Sequence, residues 1–203
     1  MNIAIIGTGN VGRALATSTR RAGHDVTIVG RDAAKASATA AELGVESATT
    51  TDQAASNAEL VILAVPSDAL AQVAQDLAGV VDGKTVVDAT NRMQPDATTA
   101  SNAETLQDRL PGANVIKAFN TSFASRQADP QIDGVRVDGY VAGDDPTAKQ
   151  QVLDLAEQIG FSPVDAGPLA SSRTLEGLAW INISRNLDGG SWQGGLVLLE
   201  PAA

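Results

Sequence analysis

The chain begins with a short apolar segment that runs directly into a glycine-rich turn. Residues 2–6 are strand-like, and Gly7, Gly9 and Gly12 follow in the spacing Gly-x-Gly-x-x-Gly. In a dinucleotide-binding turn the first glycine permits the tight bend, the second lets the backbone approach a pyrophosphate, and the third lets the next helix pack closely on the sheet. The turn therefore predicts a dinucleotide site, with a plain strand-turn-helix as the alternative. The predicted cofactor-binding residues of the turn are Gly7, Thr8, Gly9, Asn10, Val11 and Gly12.

Strand-like and helix-like segments alternate along most of the chain. Apolar runs predict strands at residues 2–6, 25–29, 59–65, 84–89, 114–118, 137–142 and 162–165. Alanine-rich amphipathic segments predict helices at 10–22, 32–43, 67–78, 102–109, 146–159 and 172–186. This alternation predicts an α/β fold: a doubly wound, mainly parallel Rossmann-type sheet with helices on both faces and a short C-terminal helical extension. Ligands of such a fold bind outside the carboxyl ends of the strands.

The length and composition limit the classes of protein to which the chain can belong. With 203 residues, of which 43% are hydrophobic, we expect a single domain over residues 1–203. Because the chain has one histidine and no cysteine, we predict no metal site, and a reducing cytoplasm is the expected location. A net charge of −10 argues against a nucleic acid partner. Neither an export signal nor a membrane span is predicted.

The residues after the second predicted strand indicate which dinucleotide is bound. NAD sites usually carry an acidic residue there for the ribose 2′-hydroxyl, but this chain has Gly30 followed by Arg31. The guanidinium of Arg31 suits a 2′-phosphate, Lys35 lies one helical turn further on, and Thr8 adds a hydroxyl donor. We therefore predict NADP(H) as the cofactor. In the alternative, Arg31 and Lys35 belong to an ordinary solvated helix start with Asp32 as its N-cap.

Two later strands also end in residues that suggest a site. Val65 and Pro66 are candidates for the wall of a nicotinamide pocket, although a proline there also fits a purely structural turn. Lys117, Asn120 and Thr121 lie at the end of another strand and combine a cation, an amide and a hydroxyl group. We predict a binding role for these three residues, with a solvated loop as the alternative.

With these features placed, the chain resembles the deazaflavin (coenzyme F420)-dependent NADP oxidoreductases, whose distant relatives include the cytosolic domain of six-transmembrane metalloreductases. The similar segments are residues 7–12, Gly23-His24, Gly30-Arg31 with Lys35, Ala64-Val65-Pro66, residues 115–121, 142–145 and 165–169, and Ser172-Arg173. The resemblance implies an NADP-binding domain in which the nicotinamide lies near Ala64, Val65 and Pro66. It also implies a second ligand over the nicotinamide, and a C-terminal extension at 171–203 that completes the pocket.

Two segments depart from the family pattern. Asn120 stands where well-studied deazaflavin enzymes tend to have histidine, and the loop at 88–91, which ends in Asn91, is more like that of uncharacterised relatives. Both loops belong near the second ligand. The resemblance therefore implies a second-ligand pocket formed by Asn91, Lys117, Asn120 and Thr121.

We expect an NADP-dependent oxidoreductase that passes hydride between NADP(H) and a small-molecule redox partner, a deazaflavin coenzyme. Direct transfer between stacked rings needs no strong general acid, and Lys117 and Asn120 are the candidate catalytic residues. One alternative is an NADPH-dependent reductase of a small carbonyl, imine, quinone, flavin or ferric acceptor. Another is a non-catalytic NADP-binding sensor. We also expect a homodimer, and the glycine-rich loop at 188–195 is predicted to be either a lid or a plain connection.

Overall fold

An eight-stranded sheet forms the centre of the protein. The computed structural model describes residues 1–199, so the end of the predicted C-terminal extension, residues 200–203, lies outside the described residues. The strands are β1 (Asn2–Ile6), β2 (Asp25–Val29), β3 (Glu46–Ser47), β4 (Leu60–Leu63), β5 (Thr85–Asp88), β6 (Asn114–Ala118), β9 (Asp138–Gly143) and β10 (Ser162–Asp165), with β7 (Gln131–Ile132) and β8 (Val135–Arg136) in a separate hairpin.

Eight helices connect and cover the strands in the part of the chain that the structure describes. They are α1 (Asn10–Arg21), α2 (Ala33–Leu43), α3 (Thr51–Ser56), α4 (Leu70–Leu77), α5 (Asn102–Arg109), α6 (Ala124–Ala128), α7 (Pro146–Gln158) and α8 (Ser172–Ser184). Within residues 1–199, none of them has both the length and the apolar character that crossing a membrane requires.

The strand order confirms the predicted doubly wound sheet. The order is β10-β9-β6-β5-β4-β1-β2-β3, with β1 in the interior between β4 and β2. All neighbouring strands run parallel except β6 and β9, which pair antiparallel with Ile116 opposite Gly143. The carboxyl ends of β1, β2, β4, β5 and β6 therefore meet at one edge of the sheet, which is where this fold binds ligands.

Helices cover both faces of the sheet, as predicted. Along β1, Ile3 and Ile5 belong to the hydrophobic cluster that includes α1, α2 and α7, whereas Ala4 and Ile6 belong to the cluster that includes α3, α4 and α5. Because successive side chains of a strand point to opposite faces, one apolar run supplies both halves of the core.

Several short elements were not predicted. The β7–β8 hairpin turns at Asp133 and Gly134, whose φ angles are +50° and +83°. Asp-Gly between apolar residues is a strong hairpin signal because a two-residue hairpin turn needs positive φ at both positions, so the sequence did contain this information. The other omissions are β3, α3 and α6, which have two, six and five residues and carry little periodic pattern.

Candidate functional site

The glycine turn lies between β1 and α1 at the carboxyl edge of the sheet. Gly7 has a φ of +130°, and a Cβ atom added there would lie 2.2 Å from the carbonyl oxygen of Ala64. A Cβ atom on Gly12 would lie 2.0 Å from the carbonyl oxygen of Gly7. Both distances are far shorter than van der Waals contact. The turn packs against the end of β4, and α1 packs against the turn, because these two residues have no side chain.

Gly9 has a different environment. No heavy atom lies within 4 Å of a Cβ atom built on Gly9, so the turn leaves open space there. Gly9 is also the N-cap of α1, where no side chain caps the helix and no acidic residue occupies the first turn. The unpaired N–H groups and the partial positive charge of this helix terminus remain available beside the open space. These residues therefore fit the pyrophosphate of a dinucleotide.

A second group of predicted cofactor residues lies at the end of β2. A Cβ atom on Gly30 would lie 2.9 Å from Cγ2 of Thr8, so this glycine also permits the packing of the turn. Arg31 and Lys35 are exposed, and neither forms a salt bridge within residues 1–199. Asp32 caps α2, and its Oδ1 accepts a 3.0 Å hydrogen bond from the N–H of Lys35. The two cations therefore remain available for a 2′-phosphate.

A third group follows β4. The N–H of Ala64 donates a 2.9 Å hydrogen bond to the carbonyl of Ile6, which holds this loop beside the glycine turn. Val65 is half-buried, and Pro66 is exposed and precedes a single 3-10 turn. Because β4 and β2 are the two neighbours of β1, the three groups of predicted cofactor residues share one edge of the sheet.

A cavity of about 540 Å³ opens beside the start of α1. Its lining comes from the start of α1, from the loops after β5 and β6, from the start of α6, from α8 and from the segment that follows α8. Asn91, Asn120 and Thr121, which were predicted for the second-ligand pocket, line this cavity together with Asn10 and Val11 at the start of α1. In the described part of the chain, no charged side chain contributes to its wall.

Asn91 and Asn120 hold the loops after β5 and β6 together. Nδ2 of Asn91 donates a 2.8 Å hydrogen bond to the carbonyl of Asn120, and Nδ2 of Asn120 donates one of 2.9 Å to Oδ1 of Asn91. Nδ2 of Asn120 also donates to the carbonyl of Leu175 in α8, at 3.1 Å. The preceding residue, Phe119, has a φ of +64°, which is unfavourable for a residue with a side chain. The amide pair helps to stabilise this turn and joins it to α8.

The structure does not bring Lys117 to the cavity. Its side chain is fully buried, and Nζ donates hydrogen bonds to Oδ2 of Asp88, the carbonyl of Thr90 and Oε1 of Glu176, at 2.8, 2.7 and 2.9 Å. An ammonium group has three N–H donors, so none is left for a ligand or for a reacting atom. Lys117 instead joins β5, β6 and α8 in the protein interior, which favours a structural role.

A second set of contacts holds α8 against α5. The guanidinium of Arg173 donates hydrogen bonds of 2.8 and 2.7 Å to the two carboxylate oxygens of Glu104, and this interaction lowers the pKa of Glu104 to about 2. The hydroxyl groups of Ser101 and Ser172 lie 2.6 Å apart. Ser172 and Arg173, which resemble the family pattern, therefore attach the helix that forms one wall of the cavity.

The sequence analysis expected the extension at 171–203 to complete the pocket, but it did not name the apolar side chains that form the wall. Phe123, Ile183, Leu187 and Trp192 line the cavity, and the rings of Phe123 and Trp192 meet edge to face with centroids 5.1 Å apart. The hydroxyl of Ser125 donates a 2.7 Å hydrogen bond to the carbonyl of Trp192. The loop at 188–195 is therefore bonded to α6 and forms part of the cavity wall. Among the individual residues, Trp192 between two glycine pairs was the signal that could have indicated this wall.

Members of one family of oxidoreductases are similar to the chain over most of its length. The family model described as NADP oxidoreductase, coenzyme F420-dependent, matches residues 2–92. The F420-dependent NADP reductase of Methanothermobacter thermautotrophicus is 33% identical over 210 residues, and the match covers 92% of this chain and 90% of that protein. A solved structure of a candidate F420-dependent NADP reductase from Arthrobacter sp. FB24 gives a TM-score of 0.81 at 30% identity, and the match covers 98% of this chain and 100% of that one.

Metalloreductases are similar to the chain over a smaller share of their own length. Metalloreductase STEAP3 of Rattus norvegicus is 32% identical over 179 residues, and this match covers 87% of the present chain. The chain spans only 36% of the length of that relative. The similarity therefore concerns one portion of the metalloreductase.

Proposed function

The chain belongs to the family of coenzyme F420-dependent NADP oxidoreductases, and we propose that it transfers hydride between NADP(H) and a deazaflavin coenzyme. The observation that carries this proposal is the uncharged cavity beside the glycine turn, where a planar ring would lie next to a nicotinamide. Transfer between two rings mainly requires that they be held face to face at near-attack distance. Apolar walls with a few amide groups suit that task, because they position an uncharged ring and exclude water.

We assign the binding of NADP(H) to three groups of residues at the carboxyl edge of the sheet. The N–H groups at the start of α1, beside Gly9, hold the pyrophosphate. Arg31 and Lys35 hold the 2′-phosphate, and Val65 and Pro66 form a wall of the nicotinamide pocket. The bound cofactor supplies or accepts the hydride at its nicotinamide ring. The residues of the chain bind this ring, orient it and shield it from water.

Reduction of a carbonyl or an imine fits this cavity less well. Such reactions need an acid positioned to protonate the developing oxygen or nitrogen atom. Within residues 1–199 no charged side chain lines the cavity, and Lys117 uses all three N–H groups inside the protein. Transfer between two rings makes no such demand on the protein, so it remains the better explanation of an uncharged site.

A panel of acceptors tests the proposed activity. The purified protein is mixed with NADPH and, in turn, with a deazaflavin, a flavin, a quinone and a ferric chelate, while the absorbance of the reduced nicotinamide is followed. We expect kcat/KM for the deazaflavin to exceed that of the other acceptors by at least about tenfold. Preference for the ferric chelate would favour a metalloreductase activity instead. Tight NADPH binding without oxidation by any acceptor would favour a sensor.

The cofactor preference is tested by Arg31→Ala. Because a guanidinium forms charge-assisted hydrogen bonds with a phosphate, we expect the Kd for NADPH to rise by about ten- to a hundredfold and the Kd for NADH to stay nearly unchanged. Isothermal titration measures both constants. The control is Arg20→Ala, which removes an arginine in the last turn of α1, at the opposite end of that helix from the glycine turn. An equal loss of affinity for both cofactors would contradict the assignment.

The proposal extends to the organisation of the protein. We regard residues 1–203 as one NADP-binding domain in which residues 171–203 complete the pocket, since Ala179, Ile183 and Trp192 belong to the cavity wall. Cytoplasmic location and assembly as a homodimer are part of the same proposal. Six of the eight exposed large apolar side chains of residues 1–199 lie between Ile181 and Leu199, and this concentration supports a dimer. Analytical ultracentrifugation measures the mass.

A further inference from the structure

One polar atom of a residue in the cavity wall has no hydrogen-bond partner. Asn120 is 4% exposed and lines the cavity, and its Oδ1 is buried and accepts no hydrogen bond. Among residues 1–199, three other buried side-chain atoms lack a partner, in Thr19, Arg126 and Gln127, and none of those residues lines the cavity. A buried acceptor without a donor destabilises a protein, so an unpaired acceptor on a residue of the cavity wall calls for an explanation.

The surroundings of Asn120 determine which end of its amide is free. Nδ2 donates to Oδ1 of Asn91 and to the carbonyl of Leu175, which are both acceptors. Asn91 is oriented in turn, because its own Nδ2 donates to the carbonyl of Asn120. Rotation of the Asn120 amide by half a turn would place its oxygen opposite two acceptors, Oδ1 of Asn91 and the carbonyl oxygen of Leu175. The free group of Asn120 is therefore the acceptor and not the donor.

We propose that Asn120 determines the specificity for the second ligand, with Oδ1 accepting a hydrogen bond from a ring N–H of an uncharged heterocycle. This inference rests on the proposed function and names the class of ring that the cavity takes. Since no charged side chain lines the cavity, the part of the ligand inside it is neutral, and anionic groups of the same molecule lie outside.

The proposed hydrogen bond separates two kinds of planar redox ring. A deazaflavin or a flavin carries an imide N–H between two carbonyl groups and satisfies Oδ1 of Asn120. A quinone presents only acceptor oxygens, so binding it would leave Oδ1 buried without a partner or facing another oxygen. A site that hydrogen-bonds one group of its substrate rejects an analogue without that group, because the protein atom is then left unpaired.

The test compares two ligands in three proteins. The ligands are deazalumiflavin, an uncharged ring without a phosphate tail, and the same ring methylated at its imide nitrogen. Their Kd values for the NADP-loaded protein are measured by isothermal titration, so the readout does not depend on turnover. The proteins are the unaltered chain, Asn120→Leu and Asn120→Asp. Both variants lose the hydrogen bonds that Nδ2 of Asn120 donates to Asn91 and to Leu175. Asn120→Asp keeps the acceptor oxygen and has nearly the same size as the original side chain.

We expect the unaltered protein to bind the N–H ring about ten- to a hundredfold more tightly than the N-methyl ring. Asn120→Asp retains a preference for the N–H ring, whereas in Asn120→Leu the two affinities come within about threefold. Leucine has the same branched shape as asparagine and is no smaller, so a preference caused only by steric exclusion of the methyl group would persist in Asn120→Leu and would overturn the inference. If either variant fails to fold, the absence of a preference in the unaltered protein would still overturn it.

The outcomes also separate this inference from the proposed function. If the unaltered protein binds both rings with equal affinity, the proposed role of Asn120 is contradicted. The proposed hydride transfer to a deazaflavin is not affected by this result. A clear preference for the N–H ring without oxidation of NADPH would support the role of Asn120 in specificity and would contradict the proposed hydride transfer. If neither ring binds to the unaltered protein, both are overturned.

Discussion

Replacement of Lys117 by methionine should lower the free energy of unfolding by about 3–5 kcal/mol. Lys117, Asp88 and Glu176 are at most 1% exposed, and the ammonium group donates to both carboxylates. Methionine fills a similar volume but leaves two carboxylates without a cation in the protein interior. The large penalty arises from these unpaired groups rather than from the lost attraction itself. Equilibrium unfolding in urea measures the change.

The control for this prediction is Lys149→Met. Lys149 forms a 3.0 Å salt bridge with Asp165, whose side chain is 51% exposed. Because water still solvates the carboxylate of Asp165 when the lysine is removed, we expect Lys149→Met to change the free energy of unfolding by less than about 1 kcal/mol. If both substitutions lowered the free energy of unfolding by a similar amount, the claim that burial makes the Lys117 network more important for stability would be contradicted. Since Lys117 does not line the cavity, weaker ligand binding by Lys117→Met would come from loosening of α8, and not from a lost contact with the ligand.

Gly12→Ala should destabilise the fold by about 3 kcal/mol or more. The added Cβ atom would lie 2.0 Å from the carbonyl oxygen of Gly7, which is a backbone atom and cannot rotate away. Helix α1 would have to move off the sheet, and the packing of Leu15 and Ala16 against the core would be lost in part. We expect a lower midpoint of unfolding together with weak or absent NADPH binding. Urea unfolding and titration with NADPH measure the two effects.

Gly9→Ala is the matched comparison for Gly12→Ala. It adds the same methyl group three residues earlier, where no heavy atom lies within 4 Å. We therefore expect the free energy of unfolding to change by less than about 0.5 kcal/mol, whereas the Kd for NADPH should rise by at least about tenfold, because the methyl group occupies space that the pyrophosphate needs. If Gly9→Ala bound NADPH as tightly as the unaltered protein, the phosphates would not lie at this turn.

The sequence was a reliable guide wherever neighbouring residues control the structure. The apolar run at β1, the glycine spacing after it and the alternation of strands and helices depend on periods of a few residues, so the doubly wound sheet and its ligand-binding edge were predictable. The Asp133-Gly134 turn was equally local and was overlooked. The same local signals indicated that Gly30, Arg31 and Lys35 follow β2 at that edge.

The interpretation of Lys117 depended on residues far away in the chain. A lysine inside an apolar run fits either a binding site or a buried ion pair, and its two acidic partners lie 29 and 59 residues away. The cavity wall raised the same difficulty, because Trp192 contacts Phe123, which lies 69 residues earlier in the chain. Neither the contacts of Lys117 nor the contact between Phe123 and Trp192 produces a periodic pattern from which they could be predicted.

The sequence by itself determined the strand-turn-helix at the N-terminus, the order of the longer strands and helices, and the edge of the sheet at which this fold binds ligands. Only the tertiary structure decided that Lys117 is enclosed, that α8 and the loop at 188–195 form a wall of the cavity, and that Oδ1 of Asn120 is left without a partner. The physical reason is that backbone conformation follows short-range sterics and periodicity, whereas burial and hydrogen-bond pairing depend on which distant segments meet when the chain packs.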